Sequence, residues 1–135
     1  MSDAAHPSPT GRPWITIAGG VLGLLGVAAG AFGAHALRDA VSPRDLEIWQ
    51  TGAHYQQLHA VVLVALGFWA RTHRAAWTSW AAIFFVLGVL VFSGTLYAMV
   101  LGGPRMLGAI TPLGGLALMS GWATIAVGSW VRGDR

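Results

Sequence analysis

The chain has 135 residues, one domain's worth, with 55% hydrophobic residues, 19 glycines, 7 tryptophans, a formal net charge of +3 and only about 10% charged side chains. A soluble domain carries roughly 25% charged residues, so this composition excludes a disordered chain and argues against an ordinary water-facing enzyme. All eight cations are arginine and cysteine is absent, which excludes a disulfide scaffold, a thiolate metal site and a thiol nucleophile.

The charges fall in gaps between four uncharged runs, residues 13–37, 48–70, 75–104 and 106–131. About 20 mostly apolar residues are needed for a helix to cross roughly 30 Å of hydrocarbon, and each run is long enough. Barrel strands would alternate over about ten residues. Segments such as Val21 to Val27 and Ala81 to Leu87 do not alternate. The expected fold is therefore all-α: a polytopic integral membrane protein whose single membrane domain, 14–131, is a bundle of four transmembrane helices. Residues 1–13, with Pro7, Pro9, Gly11 and Pro13, and residues 132–135 are expected to be cytoplasmic tails.

The first helix is expected over about 14–37. Its uncharged run exceeds the 7–15 residues of a signal-peptide core, so it reads as a retained span. Gly19 and Gly23, then Gly26, Gly30 and Ala34, form a ridge of small residues that lets another helix come close. Gly26, Gly30 and Ala34 are the expected packing positions.

A second helix, about 43–70, has a clear start: Ser42 as N-cap, Pro43 in the first position and Asp45 in the first turn. Its beginning is polar: Gln50, Thr51, His54, Tyr55, Gln56, Gln57 and His59. Glu47, Gln50, His54 and Gln57 share one face by helical spacing, and Tyr55 and His59 form a pair on another. Counting back from Arg71 puts His59 near mid-membrane, where Ser120 is its expected partner.

The third helix, about 76–101, places Trp77 and Trp80 at one interface and Tyr97 at the other. Its Ser93-Gly94-Thr95 patch is expected to pack on the glycine ridge of the first helix. Gly102, Gly103 and Pro104 end it. Two readings fit the remainder. Thr111 with Pro112 starts a helix over 112–131, leaving 105–111 interfacial or partly re-entrant, or one kinked helix runs from 106.

With four spans, Arg12, Arg71, Arg74, Arg132 and Arg135 share one side, against Arg38, Arg44 and Arg105 on the other. The positive-inside rule then puts both termini in the cytoplasm.

The sequence from Gly30 through Leu37 (Gly-Ala-Phe-Gly-Ala-His-Ala-Leu) is followed by Trp49, Tyr55-Gln56 and His59-Ala60. After these come Ser93-Gly94 with Tyr97, the stretch Leu107-Gly108-Ala109-Ile110-Thr111-Pro112-Leu113-Gly114-Gly115, and Gly121-Trp122. In these ordered motifs the chain closely resembles the domain of unknown function 423 (DUF423) family, which includes transmembrane protein 256. The resemblance covers nearly all of the chain after residue 14. It implies a small bacterial inner-membrane protein of four helices and supplies no activity and no catalytic residue.

The polar side chains His35, His54, Gln57 and Tyr97 reach one depth by counting, so they are expected to form a hydrogen-bonded cluster near the non-cytoplasmic side. One reading makes this cluster glue between helices. The other makes it a site, with His35, His54 and His59 as candidate metal or haem ligands. Against a metal, no carboxylate lies inside a span, and His54 and His59 diverge by five positions. An intramembrane Ser/His/Asp triad lacks its acid. No enzyme activity, cofactor or nucleic-acid partner is expected. The expected partners are the lipid bilayer and other membrane proteins or a second copy, with a homo-oligomeric carrier or pore as the alternative.

Overall fold

A computed structural model describes residues 11–73 and 75–133. It contains four long helices: α1 (Pro13–His35), α2 (Pro43–Thr72), α3 (Ala76–Val100) and α4 (Thr111–Gly133), with a 3₁₀ turn over Arg105–Ala109 between the last two. The described residues include no strand.

The helix ends follow from local chemistry. Pro13 opens α1, where a missing N–H costs nothing. At the start of α2 the Ser42 hydroxyl accepts from the Asp45 backbone N–H at 3.1 Å and donates to the Asp45 carboxylate at 2.9 Å. α3 lacks a capping side chain of its own. Arg12, just before α1, donates to the Ala75 carbonyl at 2.7 Å and to the Thr78 hydroxyl at 2.9 Å. That bond fixes the first helix to the start of the third. α3 closes with Gly102 in the left-handed region (φ 97°), and the Gly103 N–H reaches back to the Ala98 carbonyl at 2.8 Å. This pairing satisfies a carbonyl the helix would leave open.

The stretch after Pro104 is two elements rather than one kinked helix: the 3₁₀ turn, then α4 from Thr111. The Thr111 hydroxyl does not cap α4. It donates to the Leu107 carbonyl at 3.2 Å and lies 2.8 Å from the Thr95 hydroxyl of α3. The expected tails also shift. Residues 11 and 12 are ordered against the α2–α3 connection, and α4 runs on through Arg132 and Gly133. Residues 1–10, Arg74 and residues 134–135, including Arg135, lie outside the described residues.

Packing follows chain order. α1 lies on α2, α2 on α3 and α3 on α4, and α1 makes no backbone approach to α4. The start of α1, the end of α2, the start of α3 and the end of α4 share one end of the bundle, where Arg12 meets Thr78 and Gly128 packs on Trp77. At the opposite end, Arg105 pairs with Asp45 at 3.1 Å. The core is narrow, built from Ile15, Leu22, Leu63, Phe85, Val89 and Leu118 with the small residues Ala60, Ala81 and Ala82. The outside is as apolar as the inside: Leu24 is 72% exposed, Met119 67% and Trp130 75%. A water-soluble bundle hides such residues; here lipid is the solvent.

Among the described residues, three segments are long and apolar enough to cross a membrane: α1, α3 and Arg105–Val131. α2 is long enough, at 30 residues, but its glutamines and histidines lower its hydropathy.

Candidate functional site

Polar chemistry concentrates on α2, in two clusters. The first joins α1, α2 and α3. Gln56, which is buried, donates from Nε2 to the Leu22 carbonyl at 2.9 Å. Gln57 donates to the Gly26 carbonyl at 2.7 Å, and the Trp49 indole to the Ala29 carbonyl at 2.7 Å. From α3 the Tyr97 hydroxyl donates to Gln56 Oε1 at 2.9 Å, and Ser93 to the Gly52 carbonyl at 2.8 Å. The Trp49 ring lies against Tyr97, centroids 4.4 Å apart, and against Phe32 at 5.5 Å.

The sequence of α1 makes these bonds possible. A helical side chain leans toward the N-terminus and covers the turn before it. A carbonyl at position i is therefore screened by the residue at i+4. The three accepting carbonyls are Leu22, Gly26 and Ala29, and the residues four further on are Gly26, Gly30 and Gly33. Each glycine uncovers one carbonyl. A Cβ on Gly26 would sit 2.9 Å from Gln57 Cγ, on Gly30 3.1 Å from Gln57 Nε2, and on Gly33 2.6 Å from Trp49 Cδ1. The carbonyls already accept one intrahelical bond, and the second lone pair takes the side-chain donor.

The second cluster surrounds His59, which is buried at mid-helix. Its Nε2 faces the Trp122 indole N–H of α4 at 3.2 Å, and its Nδ1 lies 2.7 Å from the Tyr55 carbonyl. An indole can only donate, so Nε2 accepts and the proton sits on Nδ1, donating to Tyr55. The ring is enclosed by Tyr55, Phe85 and Trp122, with centroids 6.0, 5.3 and 6.2 Å away. Both ring nitrogens are engaged, so neutral His59 has no lone pair to give a metal. Among the described residues, no group of three or more His, Asp or Glu side chains is placed to hold a metal ion.

The expected cluster of His35, His54, Gln57 and Tyr97 does not form: no hydrogen bond joins any two of them. Gln57 turns to α1, Tyr97 turns to Gln56 rather than to the membrane interface, and His35 and His54 are exposed. The expected partner of His59, Ser120, bonds instead to the Leu116 carbonyl at 2.9 Å, and Trp122 takes its place. Of the three expected packing positions, Gly26 and Gly30 face Gln57, while Ala34 is exposed and its neighbour Gly33 lies under Trp49. The Ser93-Gly94-Thr95 patch does not meet the α1 ridge. Ser93 bonds α2, Thr95 lies beside Thr111, and Gly94 has open space around it.

The sequence reading named Trp49, Gln56, Trp122 and Gly33 but gave none of them a role in joining helices. A signal for three of them was present. Gly19, Gly26 and Gly33 recur every seven residues, and so do Trp49, Gln56 and Leu63. In an antiparallel pair two such heptads register on one another, as Gly33 does on Trp49 and Gly26 on Gln56 and Gln57.

Comparison with known proteins places the chain among membrane proteins. The family model described as protein of unknown function (DUF423) matches residues 29–115. The UPF0382 inner membrane protein YgdD of Escherichia coli (strain K12) is 35% identical over 109 residues, covering 81% of this chain and 83% of that protein. A UPF0382 membrane protein of Staphylococcus saprophyticus is 35% identical over 116 residues, 84% of this chain and 94% of its own length. One from Staphylococcus haemolyticus is 36% identical over 114 residues, 84% and 93% respectively. No solved structure matches the chain. With its motifs, helices and relatives in agreement, the chain belongs to the DUF423 family of membrane proteins.

Proposed function

We propose that this protein is a non-catalytic, four-span protein of the bacterial inner membrane, with both termini cytoplasmic, that acts by packing in the membrane with other membrane proteins or with itself. One observation carries the reading. The buried polar residues Gln56, His59, Thr78, Ser93 and Thr111 each have a hydrogen-bond partner within the chain. Groups arranged to act on a ligand keep donors or acceptors aimed into a pocket. These meet neighbouring elements instead: Gln56 bonds the Leu22 carbonyl, Ser93 the Gly52 carbonyl, His59 Trp122, Thr78 Arg12 and Thr111 Thr95, while the Trp77 indole N–H is buried without a partner.

Chain direction supports a fourth crossing by α2. α1 and α3 begin at the same end of the bundle, joined through Arg12 and Thr78, and both are long enough to span. If both cross in the same direction, the segment between them has to return. The arginines support the orientation, with Arg12 and Arg71 at the end that holds both termini. The names of the relatives support the location, since the E. coli relative is called an inner membrane protein.

Gentle solubilisation from native membranes followed by partner identification tests the role. The expected result is a stable, stoichiometric membrane-protein assembly without a metal or chromophore. A monomer that retains a stoichiometric metal, haem or small molecule contradicts it.

A further inference from the structure

One face of α2 changes character along its length. At the outer end Glu47, Gln50, Thr51, His54 and Tyr55 line an open groove of about 350 Å³. Below it Leu58, Val61, Ala65 and Phe68 continue the same exposed face at steps of three or four residues. Among the described residues, the Glu47 carboxylate, the Gln50 amide, the His54 ring and the Tyr55 hydroxyl make no hydrogen bond or ion pair. The Thr51 hydroxyl is engaged, donating to the Glu47 backbone carbonyl at 2.9 Å.

Depth sorts these groups. With Arg71 at the cytoplasmic edge, a hydrocarbon layer of about 30 Å ends roughly 20 residues earlier, beside Thr51. Gln50 and Glu47 then lie in the outer headgroup layer, which adds about 5–7 Å. Arg44 lies a turn further out. His54 starts roughly 5 Å below the edge, but helical side chains lean toward the N-terminus. The N-terminus of α2 points outward, so the His54 ring rises toward the level of the lipid esters. From outside inward the face presents a carboxylate, an amide, an imidazole beside a phenol, and an apolar track.

We infer that this face of α2 binds one phospholipid of the outer leaflet whose headgroup carries a primary ammonium. The inference rests on the reading that α2 crosses the membrane with its start outward. The groups of such a lipid come in the same order: ammonium and phosphate, then esters, then acyl chain. Glu47 accepts from the ammonium. The Gln50 amide donates to the phosphate, and the single N–H of a neutral His54 and the Tyr55 hydroxyl donate to phosphate or ester oxygens. An acyl chain follows Leu58, Val61, Ala65 and Phe68. The carboxylate sets the choice of headgroup. Beside a phosphate that carries no cation of its own, Glu47 meets like charge; beside an ammonium it meets opposite charge. Phosphatidylethanolamine therefore fits the face and phosphatidylglycerol fits it less well.

The test uses the full chain purified in detergent and titrated with phosphatidylethanolamine or phosphatidylglycerol of identical acyl chains, the bound lipid being counted by native mass spectrometry. The expected result is a several-fold preference for phosphatidylethanolamine. Glu47→Gln is expected to bring the two lipids to parity, and Glu47→Lys to reverse the preference. The double substitution Gln50→Leu with His54→Leu is expected to weaken both lipids alike. Asp39→Asn, an exposed acid in the α1–α2 connection, serves as the control and is expected to leave the preference intact. All four positions are exposed, so the fold survives each change. Equal binding of the two lipids, a preference unmoved by Glu47→Gln, or one lost equally in Asp39→Asn overturns the lipid site. The chain has no cysteine, so Val61→Cys reports separately on the reading beneath it. Reaction of that thiol with a membrane-impermeant maleimide in intact spheroplasts overturns the crossing of α2; a protected thiol without any lipid preference overturns the lipid site alone.

Discussion

The carbonyls of Leu22, Gly26 and Ala29 show how single residues decide this structure. Each is open because the residue four positions later has no side chain, and each is filled by a donor from α2. Interhelical hydrogen bonds in membranes contribute modestly, about 0.6 kcal/mol on average and up to roughly 2. Their value here is register: a donor held to one carbonyl prevents α2 from sliding along α1. Gly33→Ala is expected to drive the added methyl into the Trp49 indole, whose Cδ1 lies 2.6 Å from that position, and to cost about 1–3 kcal/mol as overpacking. Gly20→Ala, one face away, meets nothing within 4 Å. It is expected to leave stability unchanged or raise it by about 0.5–1 kcal/mol, the helical preference for alanine. Thermal unfolding in detergent separates the two. Equal melting temperatures for both variants would mean that the glycine windows do not hold the pair.

At the scale of elements, the helices themselves were legible because lipid leaves few options: long uncharged runs close their hydrogen bonds internally. The start of α2 was legible too, since Ser42, Pro43 and Asp45 form a local signal that needs no tertiary context. Ser42→Ala is expected to lose the cap and cost about 0.5–2 kcal/mol, while Ser42→Asp retains most of it. Unfolding midpoints of the two variants check this, and an unchanged midpoint for Ser42→Ala would show that the membrane anchors that end without the cap. What spacing could not supply was the rotation of α2. Helical geometry places Gln57 near Glu47, Gln50 and His54, but it does not say which direction faces α1. The glycine heptad settles that, turning Trp49, Gln56 and Gln57 inward and leaving Gln50 and His54 outside. Tyr97 misled for a similar reason. A tyrosine near a helix end suits an interface, but here a buried acceptor, Gln56 Oε1, lies within its reach.

At the scale of the molecule, the four helices pack in sequence, with α1 and α4 apart and α2 in the middle of the polar chemistry. α2 joins α1 through two glutamines and a tryptophan, α3 through Gln56 and Gly52, and α4 through His59. A helix that carries so many joints cannot be as apolar as its neighbours, which accounts for its low hydropathy. The proposed four-span reading requires that α2 cross the membrane, with its two ends on opposite sides. The most direct measurement uses the cysteine-free chain with one thiol at a time: Ala40→Cys in the α1–α2 connection and Thr72→Cys at the end of α2, both exposed. In intact spheroplasts, a membrane-impermeant maleimide is expected to label residue 40 and to spare residue 72 until the membrane is opened. Labelling of both residues from the same side would contradict a crossing α2, and with it the four-span fold.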